Sequence, residues 1–478
     1  MTIKKFYLTT AIPYVNGKPH IGHAYEYFIA DVIRRYHDLI GDETLLLSGA
    51  DENALKNVQA AEKEGTPVET FLDRNSQIFK DTYESLGVHL DVFQRGSDKN
   101  AHWPGVQKLW NLCFAAGDIY EKEYEGLYCV GCESFKLEKE LVDGLCPDHQ
   151  RKPELVKEKN YFFRLAKYQK QLLNLIESDK LKIVPEGKKA ETIGFIKGGL
   201  EDFSISRSKE RARGIGVPVP NDSSQVIYVW FDALTIYMTG IGYGTNEASW
   251  KKWWPADIHI IGKDINRFHT VYWPAMLLSA GIELPKSVLI HGFVNVDGLK
   301  MSKSIGNVID PLAITNKFGL EAVRYYLLSQ VPTDADGDFT TERFKEVYNA
   351  NLANGLGNLV ARVAKLCEKS ETELKPTSDL EKVLTEEWQH VFVSDFRLDT
   401  ALQKIWLYIS AVDKHINENA PWSLNGDALA EVLQFEVDEI RKIAKRLKCF
   451  LPETAEKIEK QFAGSKIKFE ASLFPRIN

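Results

Sequence analysis

The start of the chain alternates between patterns that are typical of buried strands and of helices. Residues 6–12 (FYLTTAI) and 43–51 (ETLLLSGAD) are short, largely apolar runs of the kind that forms buried strands. Between them, apolar residues recur at helical spacing from Ile21 to Tyr36, which predicts a helix that stops at Gly41. Two buried strands joined through a helix are characteristic of parallel pairing, because parallel strands need a long crossover. We therefore predict an α/β fold built on a parallel sheet.

Later runs predict the second half of the same sheet. They are residues 224–234 (SQVIYVWFDAL), 257–264 (DIHIIGKD) and 286–296 (KSVLIHGFVNV). The segment 118–225 differs in composition from the strand and helix patterns on either side. It holds three of the six cysteines, the basic stretch RSKERARG and a proline-rich VPVP. We interpret it as an insertion into the α/β domain.

After about residue 350 the strand patterns stop. Long helical patterns take their place and predict a bundle of helices. The predicted helices span residues 345–368, 383–396, 397–419 and 427–450.

The composition is that of a globular chain with several domains. Of its 478 residues, 44% are hydrophobic and 27% are charged, which excludes a disordered or fibrous chain. No apolar run approaches the ~18 residues of a membrane span, so we expect no membrane association. Six cysteines are too few for a disulfide framework, and no secretory signal is visible, so we expect a cytoplasmic protein.

The net charge of −7 argues, taken alone, against a large nucleic-acid-binding surface. Local basic clusters weaken that argument, because a folded RNA touches only one face of its partner. The candidate clusters are RSKERARG (207–214), the loop around KMSKS and IRKIAKRLK (440–448).

The connection after the first strand reads PYVNGKPHIGHAYEY and carries a candidate phosphate site. His20 and His23 are three residues apart, so they share one face of the first helical turn. Their donors add to the backbone amides and to the positive end of the helix dipole. Gly22 lets a flat base approach the backbone. For such a pair alone, two solvated histidines are the better interpretation.

A second loop, GLKMSKSIGN (298–307), holds Lys300 and Lys303 between flanking glycines. Lys303 could neutralise charge on a transferring phosphoryl group, although a basic loop alone is just as often merely solvated. No G-x-G-x-x-G follows the first strand and no G-x-x-x-x-G-K-[ST] occurs, which excludes two common nucleotide-binding motifs.

The cysteine cluster predicts a zinc site. Cys129-x2-Cys132 and Cys146-x2-His149 are two pairs of ligands separated by a hairpin-length segment, as in tetrahedral Cys₃His sites. Four protein ligands leave no open position, so one Zn²⁺ per chain would be structural. The alternative is a set of unligated core cysteines.

HIGH at 20–23 and KMSKS at 300–304 form the paired signature of class I aminoacyl-tRNA synthetases. The surrounding sequence resembles the methionyl-tRNA synthetase family of the single-zinc-knuckle type. The stretches that carry this resemblance span most of the first 330 residues. They are AIPYVNGKPHIGHAY, YEGLYCVGCESF, EKNYFFR, YVWFDAL, HIIGKDI, FHTVYWPAM and LKMSKSIGNVIDP.

The resemblance implies a Rossmann-like parallel-sheet catalytic domain with a zinc-knuckle insertion, followed by an all-α anticodon-binding helix bundle. It implies ATP-dependent activation of L-methionine, with Mg²⁺ accompanying ATP, and transfer of methionine to tRNA(Met). The expected boundaries are 1–117 and 226–290 for the two halves of the catalytic domain, 118–225 for the insertion, 291–350 for the KMSKS and stem-contact region, and 351–478 for the bundle. We expect a monomer.

The resemblance also implies the site residues. The catalytic residues would be His20, His23, Lys300 and Lys303, and ATP would also contact Gly22, Gly262 and Asp264. Asp51 would hold the substrate amine and Arg207 would orient Asp51. The methionine pocket would comprise Ile12, Tyr14, Asp51, Trp230, Ala233, Leu234, Tyr237, Ile265, Phe268 and His269, although core packing is the alternative for Trp230 and Phe268.

The sequence departs from the family at one place. The family usually reads G-T-D-E-H-G after the second strand, whereas this chain has Asn53 and Ala54 after Asp51-Glu52. Asn53 can still cap a helix and donate a hydrogen bond, so we expect activity to be retained.

In the bundle, the resemblance assigns Asn358, Arg362 and Trp422 to the CAU anticodon. Asn358 and Arg362 are four residues apart on one helical face, and Trp422 follows a proline at a turn. Such residues can read and stack on unpaired bases, but they are also common on any helical surface.

Four rival interpretations carry less support. A cysteinyl enzyme needs its zinc ligands in the amino-acid pocket, whereas here they lie in a compact knuckle. Leucyl, isoleucyl and valyl enzymes need a larger insertion than 118–225. A non-catalytic paralogue is disfavoured by the intact motifs, and a nicotinamide dehydrogenase by the missing glycine fingerprint.

Overall fold

A computed structural model describes residues 4–129, 134–136, 138–147, 150–301, 306–370, 372–378, 380–384, 388 and 391–477. The chain forms two compact units. The first comprises Met1–Pro19 and Asp42–Ile290, and the second comprises His20–Gly41 and His291–Asn478. Among the described residues, the helices are too short or too polar to cross a membrane.

The strands of the described residues form four sheets. The strands are β1 (Lys5–Thr9), β2 (Glu43–Ala50), β3 (Val92–Arg95), β4 (Ile119–Cys129), β5 (Ser134–Lys136), β6 (Glu154–Phe163), β7 (Lys182–Val184), β8 (Phe203–Ser204), β9 (Ser206–Ser208), β10 (Pro218–Val219), β11 (Asp222–Ile227), β12 (Ile258–Gly262), β13 (Ser287–His291), β14 (Val294–Val296) and β15 (Gly337–Phe339).

Helices connect these strands and dominate the second unit. The described α-helices are α1 (Ile21–Leu39), α2 (Leu55–Glu64), α3 (Val68–Ser85), α4 (Trp103–Ala115), α5 (Gln169–Glu177), α6 (Glu186–Lys197), α7 (Val229–Thr239), α8 (Glu247–Trp253), α9 (Trp273–Ala280), α10 (Pro311–Phe318), α11 (Leu320–Gln330), α12 (Thr341–Val347), α13 (Asn358–Ser370), α14 (Leu398–Asn419), α15 (Gly426–Phe450) and α16 (Pro452–Gln461). Wider π-helical turns occur at Phe268–Tyr272, Tyr348–Gly357 and Val391–Asp395.

The first unit is built on a six-stranded sheet in the order β3-β2-β1-β12-β13-β7. The pairings of β1 with β2, β2 with β3, β1 with β12 and β13 with β7 are parallel, with Leu8 opposite both Leu46 and Ile258. β12 and β13 are buried along their whole length, which explains why their sequences are continuous apolar runs. The predicted α/β fold with a parallel sheet is confirmed.

Two predicted runs differ from the structure. The run 286–296 was expected to lie in the main sheet, but only β13 does; β14 pairs with β15 in a separate two-stranded sheet. Residues 224–234 were expected to continue the main sheet, but β11 ends at Ile227 and α7 begins at Val229. β11 lies instead in an antiparallel sheet with β10 and β9. Every residue of α7 is buried, so its sequence is apolar on all faces and its periodicity cannot distinguish a helix from a strand.

The segment interpreted as an insertion contains all of a second, four-stranded sheet in the order β5-β4-β6-β8. β4 and β6 form a long antiparallel ladder from Ile119↔Phe163 to Tyr128↔Glu154. The same segment also supplies β7, which pairs with β13 at the edge of the main sheet. The boundaries of the predicted domains stay predictions.

The second unit is mainly helical, as predicted for the C-terminal part. α14 and α15 match the predicted helices closely, and the predicted helix 345–368 is a π-helical segment followed by α13. The predicted helix 383–396 lies partly outside the described residues. A buried ion pair fixes α1 in this unit: Arg324 Nη2 lies 2.6 Å from Asp31 Oδ2, and Arg324 also donates to the carbonyls of Cys449 and Phe450.

Candidate active site

His20 and His23 close the N-terminus of α1 as a reciprocal capping box. The backbone N–H of Gly22 donates to His20 Nδ1 at 3.1 Å, and the backbone N–H of His20 donates to His23 Nδ1 at 3.1 Å. The two rings lie 3.9 Å apart between centroids. Two backbone donors that would otherwise lack helical partners are therefore satisfied by imidazoles.

This capping box determines which ring nitrogen carries the proton. Nδ1 of each ring accepts a hydrogen bond, so in the neutral imidazole the N–H is at Nε2. Burial lowers the pKa of His23 well below its ordinary value, and the neighbouring His20 and His291 lower it further. His23 is therefore a neutral ring with an Nε2–H donor at the start of a helix.

Gly22 leaves room for a residue of the second motif. A Cβ atom at position 22 would lie 3.0 Å from His20 Cε1 and Nδ1, and 3.4 Å from Met301 Cε. The backbone N–H of Ile21 donates to Ile309 O at 3.0 Å, beyond the other end of the KMSKS loop. The structure thus brings the HIGH motif and part of the KMSKS motif together within the second unit.

A tight turn presents the lysine loop. β14 pairs with β15 and is followed by Asp297 and Gly298, both at positive φ, with Val296 and Leu299 bonded across the turn. Lys300 is exposed, and its Nζ lies 4.8 Å from the centroid of the Phe293 ring. Lys303 lies outside the described residues.

In the first unit, Asp51 lies at the carboxyl end of β2 and pairs with Tyr14 through an isolated parallel bridge. Its side chain is buried, and the amide of Asn57 donates to its backbone carbonyl at 2.8 Å. Lys56 Nζ lies 3.4 Å from the centroid of the Tyr14 ring. Asp51 therefore occupies the edge of the parallel sheet at which α/β folds bind ligands.

Aromatic rings gather beside this edge. The Trp230 and Phe268 rings stack at 3.7 Å with an interplanar angle of 8°, and Tyr14 meets Trp230 edge-on at 6.1 Å. Ile265 packs against the same cluster. Within the described part of the chain, the buried Nε1–H of Trp230 has no hydrogen-bond partner. Ring stacking thus brings these predicted pocket residues together in one cluster.

Tyr237 and His269 form a second pair of predicted pocket residues. His269 Nδ1 lies 3.0 Å from Ile265 O, so Nδ1 donates and Nε2 accepts from the Tyr237 hydroxyl at 2.8 Å. Burial lowers the pKa of His269 to about 4, which keeps the ring neutral at physiological pH. His259 stacks on Tyr237 at 4.4 Å.

The other predicted site residues of this unit make packing contacts or end secondary-structure elements. Ala233 and Leu234 are buried on α7, and Ile12 packs partly buried against the main core. Gly262 ends β12, and Asp264 is exposed in the next turn.

Arg207 is buried on β9 and lies over the Tyr228 ring at 4.4 Å. Its guanidinium donates to Ser204 Oγ and Ser206 O.

Asn53 has a different role from the one that its sequence position suggested. It does not cap α2, because the cap residue is Ala54, which makes no side-chain cap. Its amide instead donates to Gly96 O at 2.9 Å and to Asp232 Oδ2 at 2.6 Å. Asp232 also lies 2.7 Å from His102 Nε2. The replacement is thus accommodated in a buried polar network that holds α7.

Two cysteines of the predicted zinc site lie within the described residues. Cys129 and Cys146 are both buried. Cys129 pairs with Ser134 where β4 meets β5, and Cys146 follows the bridge between Val142 and Leu145. The described residues contain no group of three or more metal-binding side chains, and Cys132 and His149 lie outside them.

The predicted anticodon residues lie in the helical part of the second unit. The Arg362 guanidinium lies 5.2 Å from the centroid of the Trp422 ring, and Trp422 is 58% exposed. Arg362 donates to Asp413 and Asn417, which also line a cavity of about 350 Å³. Asn358 is exposed at the start of α13.

Sequence reasoning missed several buried polar residues near these sites. Glu26 and His291 pair in the second unit, and His102 and Asp232 pair in the first. One sign was present in the sequence: Glu26 stands among apolar residues of α1, where a charge requires a partner. The partner itself could not be predicted, because it lies far away in the chain.

Comparison with known proteins agrees with the geometry. The family model for tRNA synthetases class I (M) matches residues 6–153 and 149–364. Methionine–tRNA ligase of Clostridium acetobutylicum is 40% identical over 99% of this chain and 78% of its own length. The methionine–tRNA ligase of Brucella suis is 40% identical over 96% of this chain and 92% of its own length.

Solved structures give the same result. Mycobacterium tuberculosis methionyl-tRNA synthetase in complex with methionyl-adenylate is 37% identical, covers 99% of this chain and 100% of its own, and has a TM-score of 0.91. Its apo form is 34% identical, over 100% of this chain and 99% of its own, with a TM-score of 0.85. The chain belongs to the methionyl-tRNA synthetase family of the class I aminoacyl-tRNA synthetases.

Proposed function

We propose that the chain is a methionine–tRNA ligase that activates L-methionine with ATP and transfers it to tRNA(Met). The observation that carries the ATP-dependent step is the capping box of His20 and His23, with Gly22 against Met301 of the second motif. Family membership supplies the substrates. As part of the same proposal, we place the enzyme in the cytoplasm and expect it to act as a monomer.

In the first step, the methionine carboxylate attacks the α-phosphorus of ATP in line and pyrophosphate leaves. His20 and His23 donate Nε2–H to phosphate oxygens, because their Nδ1 atoms are already occupied by backbone donors. A neutral donor held by the backbone needs no reorganisation as charge develops. Lys300 and Lys303 supply the positive charge, and Mg²⁺ bound to ATP adds charge neutralisation.

The proposed methionine pocket combines one anion with polarizable walls. The Asp51 carboxylate holds the ammonium group of the substrate, and Arg207 orients that carboxylate. The stacked pair of Trp230 and Phe268 receives the thioether, because sulfur–aromatic contacts are favourable. Tyr237 and His269 close the pocket as a neutral hydrogen-bonded pair. The other lining residues are Ile12, Tyr14, Ala233, Leu234 and Ile265.

ATP would also contact two residues at the carboxyl end of β12. Gly262 ends that strand, so its backbone can approach the nucleotide closely, and Asp264 follows in an exposed turn. Both positions belong to the same unit as the methionine pocket.

In the second step, a hydroxyl of the terminal adenosine of tRNA attacks the carbonyl carbon of methionyl-adenylate and AMP leaves. Family chemistry implies the 2′-hydroxyl. We assign recognition of the CAU anticodon to Asn358, Arg362 and Trp422. The exposed Trp422 ring offers a stacking surface, and the Arg362 guanidinium beside it offers donors to a base edge.

A structural zinc ion would be held by Cys129, Cys132, Cys146 and His149. The burial of Cys129 and Cys146 supports this ligand set, which leaves no open position for chemistry. Its role would be to fix the turns that join β4, β5 and β6.

One experiment tests the proposed function. Purified protein is incubated with ATP, Mg²⁺, total tRNA and each of the twenty amino acids in turn. We expect methionine alone to be attached to tRNA. Charging of tRNA with a different amino acid would refute the substrate assignment, and charging with none would refute the enzymatic function.

A further inference from the structure

A buried ion pair connects α1 to the segment that leads into the KMSKS loop. His291 Nε2 lies 2.9 Å from Glu26 Oε2, and the two side chains are only 6% and 9% exposed. Both residues belong to the second unit, and neither belongs to the HIGH or KMSKS motif. The pair therefore adds a contact between two motif-bearing segments that the motifs themselves do not explain.

Both ring nitrogens of His291 face acceptors. Nδ1 lies 2.7 Å from Gly292 O, which can only accept, and Nε2 faces the Glu26 carboxylate. A proton on each nitrogen satisfies both contacts. A carboxylate that accepts from a protonated ring makes a charge-assisted hydrogen bond, which is shorter and stronger than a neutral one.

The pair acts on both motifs through short connections. Glu26 follows His23 by three residues, so it lies one turn further along the same face of α1. His291 ends β13 and precedes Gly292, where a Cβ atom would lie 2.0 Å from Ala335 O. The backbone after His291 thus has little freedom before β14 and the turn that presents Lys300.

A second ring supports the same arrangement. Tyr25 meets the His291 ring edge-on at 5.4 Å, and its hydroxyl donates to Val331 O at 3.0 Å. Burial lowers the pKa of His23, and the neighbouring His291 contributes to that lowering. A neutral His23 is what the capping box requires, because its Nδ1 must accept.

We propose that His291 is a positioning residue for the activation of methionine: its ion pair with Glu26 holds the first turn of α1 and the start of the KMSKS-bearing segment in the arrangement that binds the phosphates of ATP. This inference rests on the proposed function, since it assumes methionine-dependent use of ATP. It predicts effects on ATP and on turnover, and none on methionine, whose proposed pocket lies in the other unit.

The test measures methionine-dependent ATP–pyrophosphate exchange, per active site, for His291→Gln, Glu26→Gln and the double variant. We expect each single variant to lower kcat/KM for ATP about tenfold or more, as for loss of a charged hydrogen bond, with KM for methionine within about twofold. In the double variant two amides can bond to each other, so its loss should be smaller than the product of the single losses.

A second His–Glu pair, with a buried Glu436 and a half-buried His415, provides the control. His415 and Glu436 pair in the helical bundle of the same unit, and tRNA is absent from this assay. We expect His415→Gln and Glu436→Gln to change thermal stability but to leave the exchange reaction within about twofold.

Two outcomes would overturn the inference. One is unchanged kcat and KM for ATP per active site in His291→Gln and Glu26→Gln, even with lower thermal stability, because the pair would then be merely structural. The other is an equal rise in KM for methionine. Absence of exchange in the wild-type protein would instead refute the proposed function.

Discussion

Replacing Gly22 by alanine is expected to reduce activity strongly while it changes stability little. A Cβ atom at position 22 would lie 3.0 Å from His20 Cε1 and Nδ1, which is closer than the ~3.5 Å at which such atoms normally make contact. The His20 ring must therefore move by a few tenths of an ångström. The bond from Gly22 N–H to His20 Nδ1 is already 3.1 Å long, so a movement away from Gly22 takes it beyond the usual range of hydrogen-bond distances.

The expected free-energy changes predict that Gly22→Ala lowers activity without lowering folding stability. Loss of the cap costs about 1 kcal/mol of folding free energy, whereas alanine gains about 1 kcal/mol over glycine in a helix. The net change in stability is therefore near zero. Removing one oriented donor from a site of developing charge costs about 10² in kcat, because roughly 2.7 kcal/mol of transition-state stabilisation is lost.

The assay is methionine-dependent ATP–pyrophosphate exchange, combined with thermal unfolding of the same preparations. Gly194→Ala in α6 is the matched control, because a Cβ atom there has no neighbour within 4 Å. That variant should gain stability and keep full activity. A Gly22→Ala variant with wild-type kcat would refute the role given to the capping box.

Three further predictions concern other parts of the molecule. Trp422→Ala should raise KM for tRNA and leave adenylate formation intact; equal losses in both steps would contradict the anticodon assignment. Cys146→Ser should lower the zinc content of protein purified without chelator from about one per chain; substoichiometric zinc in the wild type would refute the site. His269 has a pKa of about 4 when folded and an ordinary value near 6.5 when unfolded, so the unfolded state binds the extra proton first. The stability contributed by His269 is therefore full above about pH 6.5, and below that pH the free energy of unfolding falls by about 1.4 kcal/mol per pH unit. In unfolding experiments at pH 7.5 to 5.5, the His269→Gln variant should lose less free energy of unfolding with falling pH than the wild type. The same slope in both proteins would contradict the buried neutral ring.

Sequence periodicity predicted those elements whose burial is one-sided or whose strands are short and apolar. It identified β1, β2, β12, β13, α1 and most of the C-terminal helices, because their patterns match one period. It failed at α7, where Val229–Thr239 is buried on all faces. It also gave no sign of the π-helical turn Phe268–Tyr272, which carries Phe268 and His269.

The site was predicted where motifs are local and missed where partners are distant. HIGH and KMSKS were recognised through the resemblance to a known family, because each motif is a short continuous stretch of sequence. The role of Asn53 was predicted as a cap, but its partner Asp232 lies on another element and only the fold brings the two together. The pairing of Glu26 with His291 was missed for the same reason.

The most direct test of the account is methionine-dependent ATP–pyrophosphate exchange by the purified protein without tRNA. The account predicts exchange with methionine and little with the other nineteen amino acids, despite Asn53 and Ala54 in place of the family's His-Gly. Absence of exchange with methionine and ATP, in folded and zinc-replete protein, would contradict it.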